Sequence, residues 1–226
     1  MGVGAGADVL EAIARHFSGA AIETGPDEPG SRLTIAGRPV KIDVAVLAWK
    51  RDLSNFKPHL RFDKVVVRTG ARLRAALESK IPDGSTVVFT MTAPIWLAAR
   101  TAAALEARIA DCLVSGLDGF AETINGNRVL VRVVSGGPNG GQKVVGFVHN
   151  PDTDPLALLD MSQALLEAGC AASGRAASGD ERWLALITGD GSPPAGTLRQ
   201  VYRQLSIQTE FARVLFVSAE GRVDAG

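Results

Sequence analysis

The sequence predicts an α/β (or α+β) fold of mixed sheets flanked by helices. Three observations carry that expectation. Short Val-rich runs, alternating or wholly apolar and bounded by Gly, Pro and Asn, recur along the chain and read as strands. Segments with apolar residues at helical spacing lie between them. The composition, 46% apolar against 21% charged over 226 residues, is that of a chain able to bury a sizeable core.

The elements follow in order. Residues 8–17 form an amphipathic helix with Val9, Ile13 and Phe17 on one face. "TGPDEPGS" (24–31) is a loop. "RLTIAGRPVKIDVAVLAW" is a hairpin, with Val40, Ile42, Val44 and Val46 alternating and Gly37 in the turn. After a basic stretch, "DKVVVRT" (63–69) reads as a short buried strand and "GARLRAALESKI" as a helix. "TVVFTMT" is a second buried strand. "APIWLAARTAAALEARIADCLVSG" is a long helix, with Pro94 in its first turn and Gly116 past its end. "AETINGNRVLVRVVS" is a hairpin turning at Asn125–Gly126, and "GGPNGGQ" is a connector. Strand "KVVGFVH", helix "DPLALLDMSQALLEAG" capped by Asp154, strand "RWLALIT", helix "TLRQVYRQLS" and strand "ARVLFVS" complete the chain.

The order suggests an internal duplication. "TIAGRPVKIDV" (34–44) and "TINGNRVLVRV" (123–133) share one frame, and each precedes a Lys-Val-Val, at Lys64 and Lys143. Two pseudo-symmetric units of β-hairpin–strand–helix–strand–helix are expected, 1–116 and 117–226. They would form one compact domain or two tightly packed ones.

A net charge of zero hides segregation. Residues 50–80 hold nine Lys and Arg against three acids, and residues 151–226 hold six against ten. Such asymmetry steers an anionic partner to one face, or pairs the two halves with each other. "AWKRDLSNFKPHLRFDK" (48–64) supplies cations for phosphates in Lys50, Arg51, Lys57 and Arg61, and rings for stacking in Trp49 and Phe56. Its plainer reading is a long loop whose aromatics anchor it while its charges face water. In "VVVRTGARLR" a strand feeding a helix would offer an anion site at the helix N-terminus, through Arg68, Thr69, Gly70, Arg72 and Arg74. The P-loop spacing is absent, which disfavours a nucleoside triphosphatase.

Catalytic signatures are lacking. The first half's order of helix, three strands, helix and strand resembles the core of the restriction-endonuclease-like nucleases, which place an acid on the second strand, where Asp43 sits. That resemblance implies a metal-dependent nuclease using Asp43, Asp63 and Lys64. It departs from the family where an acid-x-Lys pair is needed. Asp63 and Lys64 are adjacent, so a strand would point them to opposite faces, and the second frame has Arg132 in place of Asp43. "HNPDTDP" carries His149, Asp152 and Asp154, but Asp154 is accounted for as a helix cap. No cofactor and no metal site is expected, and Cys112 and Cys170 read as buried thiols. The first residues lack the cationic and long apolar regions of a signal peptide, and no apolar run reaches membrane-spanning length. A cytoplasmic protein without membrane contact is expected. The functional expectation is a non-catalytic binder of nucleic acid or another polyanion through residues 50–74. The alternatives are the nuclease, degenerate or active, and a protein–protein interaction module docking on an acidic partner or a second copy.

Overall fold

A computed structural model describes residues 4–18, 20–23, 32–61, 64–135, 142–173, 181–205, 207 and 211–225. The loop expected over 24–31 and most of the connector expected over 136–142 lie outside the described residues, as do residues 174–180 and Phe62 and Asp63. In chain order the elements are α1 (Gly4–His16), β1 (Ala21–Glu23), β2 (Arg32–Ile35), β3 (Arg38–Leu47), β4 (Leu60–Arg61), α2 (Lys64–Leu77), β5 (Ser85–Thr92) and α3 (Ala98–Val114). They continue with β6 (Gly119–Ile124), β7 (Asn127–Ser135), β8 (Val144–His149), α4 (Pro155–Ser173), β9 (Glu181–Thr188), α5 (Ala195–Leu205), β10 (Arg213–Ser218) and β11 (Val223–Ala225).

The strands form two mixed sheets, so the fold is α/β. One has the order β1-β2-β3-β9-β10-β11 and the other β4-β8-β5-β7-β6. Both expected hairpins form. They turn through Ala36–Gly37 and Asn125–Gly126, all four residues at positive φ, the geometry that lets a two-residue turn follow strand twist.

Three apolar clusters stack the elements in layers. α1 covers the outer face of the first sheet, through Leu10 and Ile13 against Leu33, Ile42 and Trp183. α2 and α3 cover the outer face of the second, through Leu73, Leu77, Leu105 and Ile109 against Val87, Phe89 and Val131. α4 and α5 fill the space between the sheets, where Leu158, Leu165, Leu198 and Val201 meet Leu184, Leu186, Val88 and Phe147. α4 leaves the second sheet from β8 and enters the first at β9, so it is at once crossover and core. Gly146 in β8 is flush with its register partner Phe89, whose ring occupies the space a Cβ would take. No helix among the described residues is long and apolar enough to cross a membrane.

The strand expected over 63–69 is not formed. Lys64–Leu77 is a single helix, and Thr69 and Gly70 lie in its interior rather than at a strand-to-helix turn. Three consecutive valines favour a strand locally, but helical burial of Val66, Thr69, Leu73 and Leu77 against the second sheet overrides that preference. The long helix also begins later than expected, at Ala98, and Pro94 precedes it in a loop.

The duplication is not shown. Lys64 opens a helix whereas Lys143 immediately precedes a strand, and the two hairpins lie in different sheets. β3 joins β9 in parallel, whereas β7 joins β5 antiparallel, so a two-fold relation between the hairpins fails at the ladder. Nor do β1–β3 and β5 share a sheet, as a single nuclease-like sheet core would require.

A mid-helix glycine with open space around it is a direct test of α2. A Cβ on Gly70 would meet nothing within 4 Å. Gly70→Ala should raise unfolding free energy by about 0.5–1 kcal/mol, measured by urea denaturation. A strand-to-helix turn requiring left-handed backbone at Gly70 would give a loss instead.

Candidate anion-binding surface

The fold divides the basic stretch instead of gathering it. Arg51 turns inward to α4, with Nη1 at 3.2 Å from Asp154 and Nε at 2.9 Å from Asp160. Asp160 also takes Nη1 of Arg132 at 2.8 Å. Arg51, still 40% exposed, is therefore paired within the molecule, matched by carboxylates of the acidic second half. Asp154 keeps its capping role as well, accepting the Leu156 amide at 2.9 Å. Trp49 and Phe56 are half-buried against the inter-sheet core, and the Trp49 indole donates to Ser192 Oγ at 2.7 Å. Both rings pack on the core with one part and leave the other exposed. Lys50 and Lys57 are exposed on the same loop, and His59 Nδ1 lies 2.8 Å from Asp152.

The remaining cations converge on α2. At about 100° per residue, Lys64, Arg68 and Arg72 fall within an arc of roughly 80° opposite the buried Leu73. All three are exposed. Among the described residues none of the three has a carboxylate within salt-bridge distance, and Arg72 Nη1 donates only to the Ala99 carbonyl, at 3.4 Å. Arg61, on the short edge strand β4, stands just before the helix. Arg74 leaves this arc and donates to Gln142 Oε1 at 2.7 Å. Thr69 is buried within the helix and Gly70 is half-buried, so neither presents a helix-terminal anion site, and that expectation is corrected.

An aromatic that sequence reasoning missed lies nearby. Trp96, assigned from sequence to a helix, sits in the β5–α3 loop with 61% of its surface exposed. The buried Asn127 clamps this loop. Its Oδ1 accepts the Trp96 amide at 2.8 Å, and its Nδ2 donates to the Trp96 carbonyl at 2.9 Å. Thr101 Oγ1 donates to the same carbonyl at 2.9 Å. Leu97, exposed and at φ 46°, follows in the left-handed region. A rigid loop that shows water a Trp and a strained Leu spends stability on its shape. The available signal was "APIW", a Pro-containing break straight after a buried strand.

Of the proposed nuclease residues, Asp63 lies outside the described residues, and Asp43 and Lys64 do not converge. Asp43 lies on β3 with 1% exposure, facing the inter-sheet core, and its Oδ2 is 2.7 Å from Nη2 of the equally buried Arg182. Arg182 also donates to the Ala172 carbonyl at the end of α4, and its guanidinium lies 4.8 Å from the Phe211 ring centroid. Asp43 thus holds β3, β9 and α4 together. Lys64 opens α2 on the far side of the other sheet. Asp43→Ala should cost about 3–5 kcal/mol of stability, because it strands a buried guanidinium. Thermal or chemical denaturation reads this loss directly.

His149 ends β8, buried, with Nδ1 2.8 Å from the Asn150 carbonyl and Nε2 without a partner among the described residues. Burial depresses its pKa, opposed by the Asn150 carbonyl, and nearby Arg128 lowers it further. The folded state therefore keeps the ring neutral where the unfolded chain, titrating near 6.5, takes up a proton. Its contribution to stability is complete above that pH and is lost as pH falls towards the depressed folded value. Between pH 7.5 and 5 the stability of wild type should fall more steeply than that of His149→Gln. The difference in slope should be at most about 1.4 kcal/mol per pH unit, read from urea midpoints. Equal slopes would place the acid sensitivity elsewhere.

No family model, no curated protein and no solved structure matches this chain.

Proposed function

We propose that the protein is a non-catalytic, cytoplasmic binder of single-stranded nucleic acid, and that the exposed face of α2 is its interface. One observation carries the reading. Lys64, Arg68 and Arg72 share one exposed arc with no carboxylate in salt-bridge reach among the described residues, while Arg51 of the same basic stretch is paired within the molecule. Cations spaced along a helix face meet successive phosphates and release their counterions. The exposed Trp96 adds a face on which an unpaired base stacks without sequence preference. A double helix would leave that ring idle, which favours the single strand.

The test is binding of an unstructured oligonucleotide at increasing salt. With three to four phosphate contacts, log K should fall against log salt with a slope of about −2 to −3. Arg68→Ala with Arg72→Ala should flatten that slope by about 1.4. Their reversal to Glu should abolish binding, with denaturation midpoints close to wild type because both side chains are exposed. Binding indifferent to salt, or unchanged by the reversals, would remove the proposal. An acidic protein held by the same residues in place of the strand would make the surface a protein-docking face.

A further inference from the structure

β5 and β8 are neighbouring parallel strands, and their following helices leave in opposite directions. α3 packs on the outer face of the second sheet and α4 on its inner face. A crevice therefore opens where the two connections part, at the carboxyl ends of the strands. This is the position at which open parallel sheets hold ligands. A pocket of about 440 Å³ occupies that crevice, within the span of roughly 300–1,000 Å³ usual for small-molecule sites. Pro94 and Ile95 of the β5 connection form one wall and Asn150 and Pro151 of the β8 connection the other, with Arg61 and Val65 closing the side towards α2.

We infer that this pocket is a nucleobase site, taking the base of a nucleoside monophosphate, either free or as one unit of a strand lying along α2. It rests on the reading of α2 given above. The walls are apolar and contain two proline rings, surfaces suited to a flat ring. Polar groups are few, as a site that orients one small ligand requires. Arg61 supplies a guanidinium for phosphate. Asn150 supplies a carboxamide, both donor and acceptor, matched to the edge of a base. The backbone that carries the carboxamide is held in place from behind. The Asn150 amide donates to the His59 carbonyl at 3.0 Å, and the Asn150 carbonyl takes the Thr153 amide at 3.1 Å and His149 Nδ1 at 2.8 Å. Its side chain has no hydrogen-bond partner among the described residues. The opposite wall is held by the Asn127 clamp on Trp96. The backbone of both walls is thus fixed before a ligand arrives. Val65, on the first turn of α2, ties the pocket to the helix that would carry the phosphates.

The four common nucleoside monophosphates and ribose 5-phosphate, titrated by calorimetry, separate base recognition from phosphate capture. At least one nucleotide should bind tenfold or more tightly than the base-free sugar phosphate. Val65→Trp, on a helix surface where the larger ring can fill the mouth, should weaken it at least tenfold. Asn150→Ala should weaken it several-fold and reduce the preference among bases. Arg68→Glu should leave mononucleotide binding within a factor of two or three while abolishing retention of the strand. Equal affinity for ribose 5-phosphate and every nucleotide, or nucleotide binding untouched by Val65→Trp and Asn150→Ala, would overturn the base site. Either result leaves the α2 surface to stand or fall on the salt dependence of strand binding. A wild-type protein that binds nucleotides but no strand, or strand binding unchanged by Arg68→Glu, would instead remove the α2 surface alone.

Discussion

One carboxylate holds the arrangement of the two sheets. Asp160 projects from α4, the helix buried between them, and receives Arg132 from the second sheet and Arg51 from the segment that follows the first. That helix is apolar over most of its surface, with Asp160, Gln163 and Glu167 along its one polar stripe. An Asp that meets two guanidiniums, one on each carboxylate oxygen, adds a polar constraint on its rotation. A second ion pair acts at the other end, where Arg182 joins Asp43 and the terminal carbonyl at Ala172. The Arg182–Asp43 pair is fully buried, and such a pair contributes little net stability relative to apolar packing, but leaving one partner alone is costly. The effect of both pairings is to exclude other registers of α4 against the strands.

This internal use of charge determines what remains outside. The excess of cations in residues 50–80 is partly an artefact of counting along the chain, because Arg51 finds its acids in α4 and Lys80 lies 4.0 Å from Glu106 of α3. After those pairings the surplus is local, and α2 presents it. Charge segregation in the sequence therefore served two purposes at once. Some of it docks the halves on each other and the remainder faces solvent.

What could be read in the sequence follows the range of the forces involved. Both hairpins, β5, β8, β9 and β10 were legible because alternation and turn chemistry act within a few residues, as at Asn125–Gly126. α2 was not. Its three valines speak for a strand over a short window, and only the longer spacing of Val66, Thr69, Leu73 and Leu77 reveals the helix. The division into two sheets was invisible, since β3 meets β9 across more than a hundred residues of chain. The same limit governed the site. Trp49 and Phe56 were chosen for lying among cations in sequence, and both pack partly on the core, while Trp96 and Asn150 are brought near α2 and Arg61 only by the parallel pairing of β5 with β8.

That pairing also explains why the crevice exists at all. Had the helices after β5 and β8 packed on one face, their connections would have run side by side over the strand ends and filled the space. α4 is drawn inward because it must reach β9 in the other sheet, and α3 stays outside because β6 returns to the edge of its own. The pocket is thus a consequence of joining two sheets through one buried helix, and it opens beside the one stretch of α2 whose cations the interior does not use. A fold that must spend carboxylates on positioning α4 leaves Lys64, Arg68 and Arg72 without a carboxylate in salt-bridge reach among the described residues. The geometry that makes the cavity and the electrostatics that surround it have the same origin.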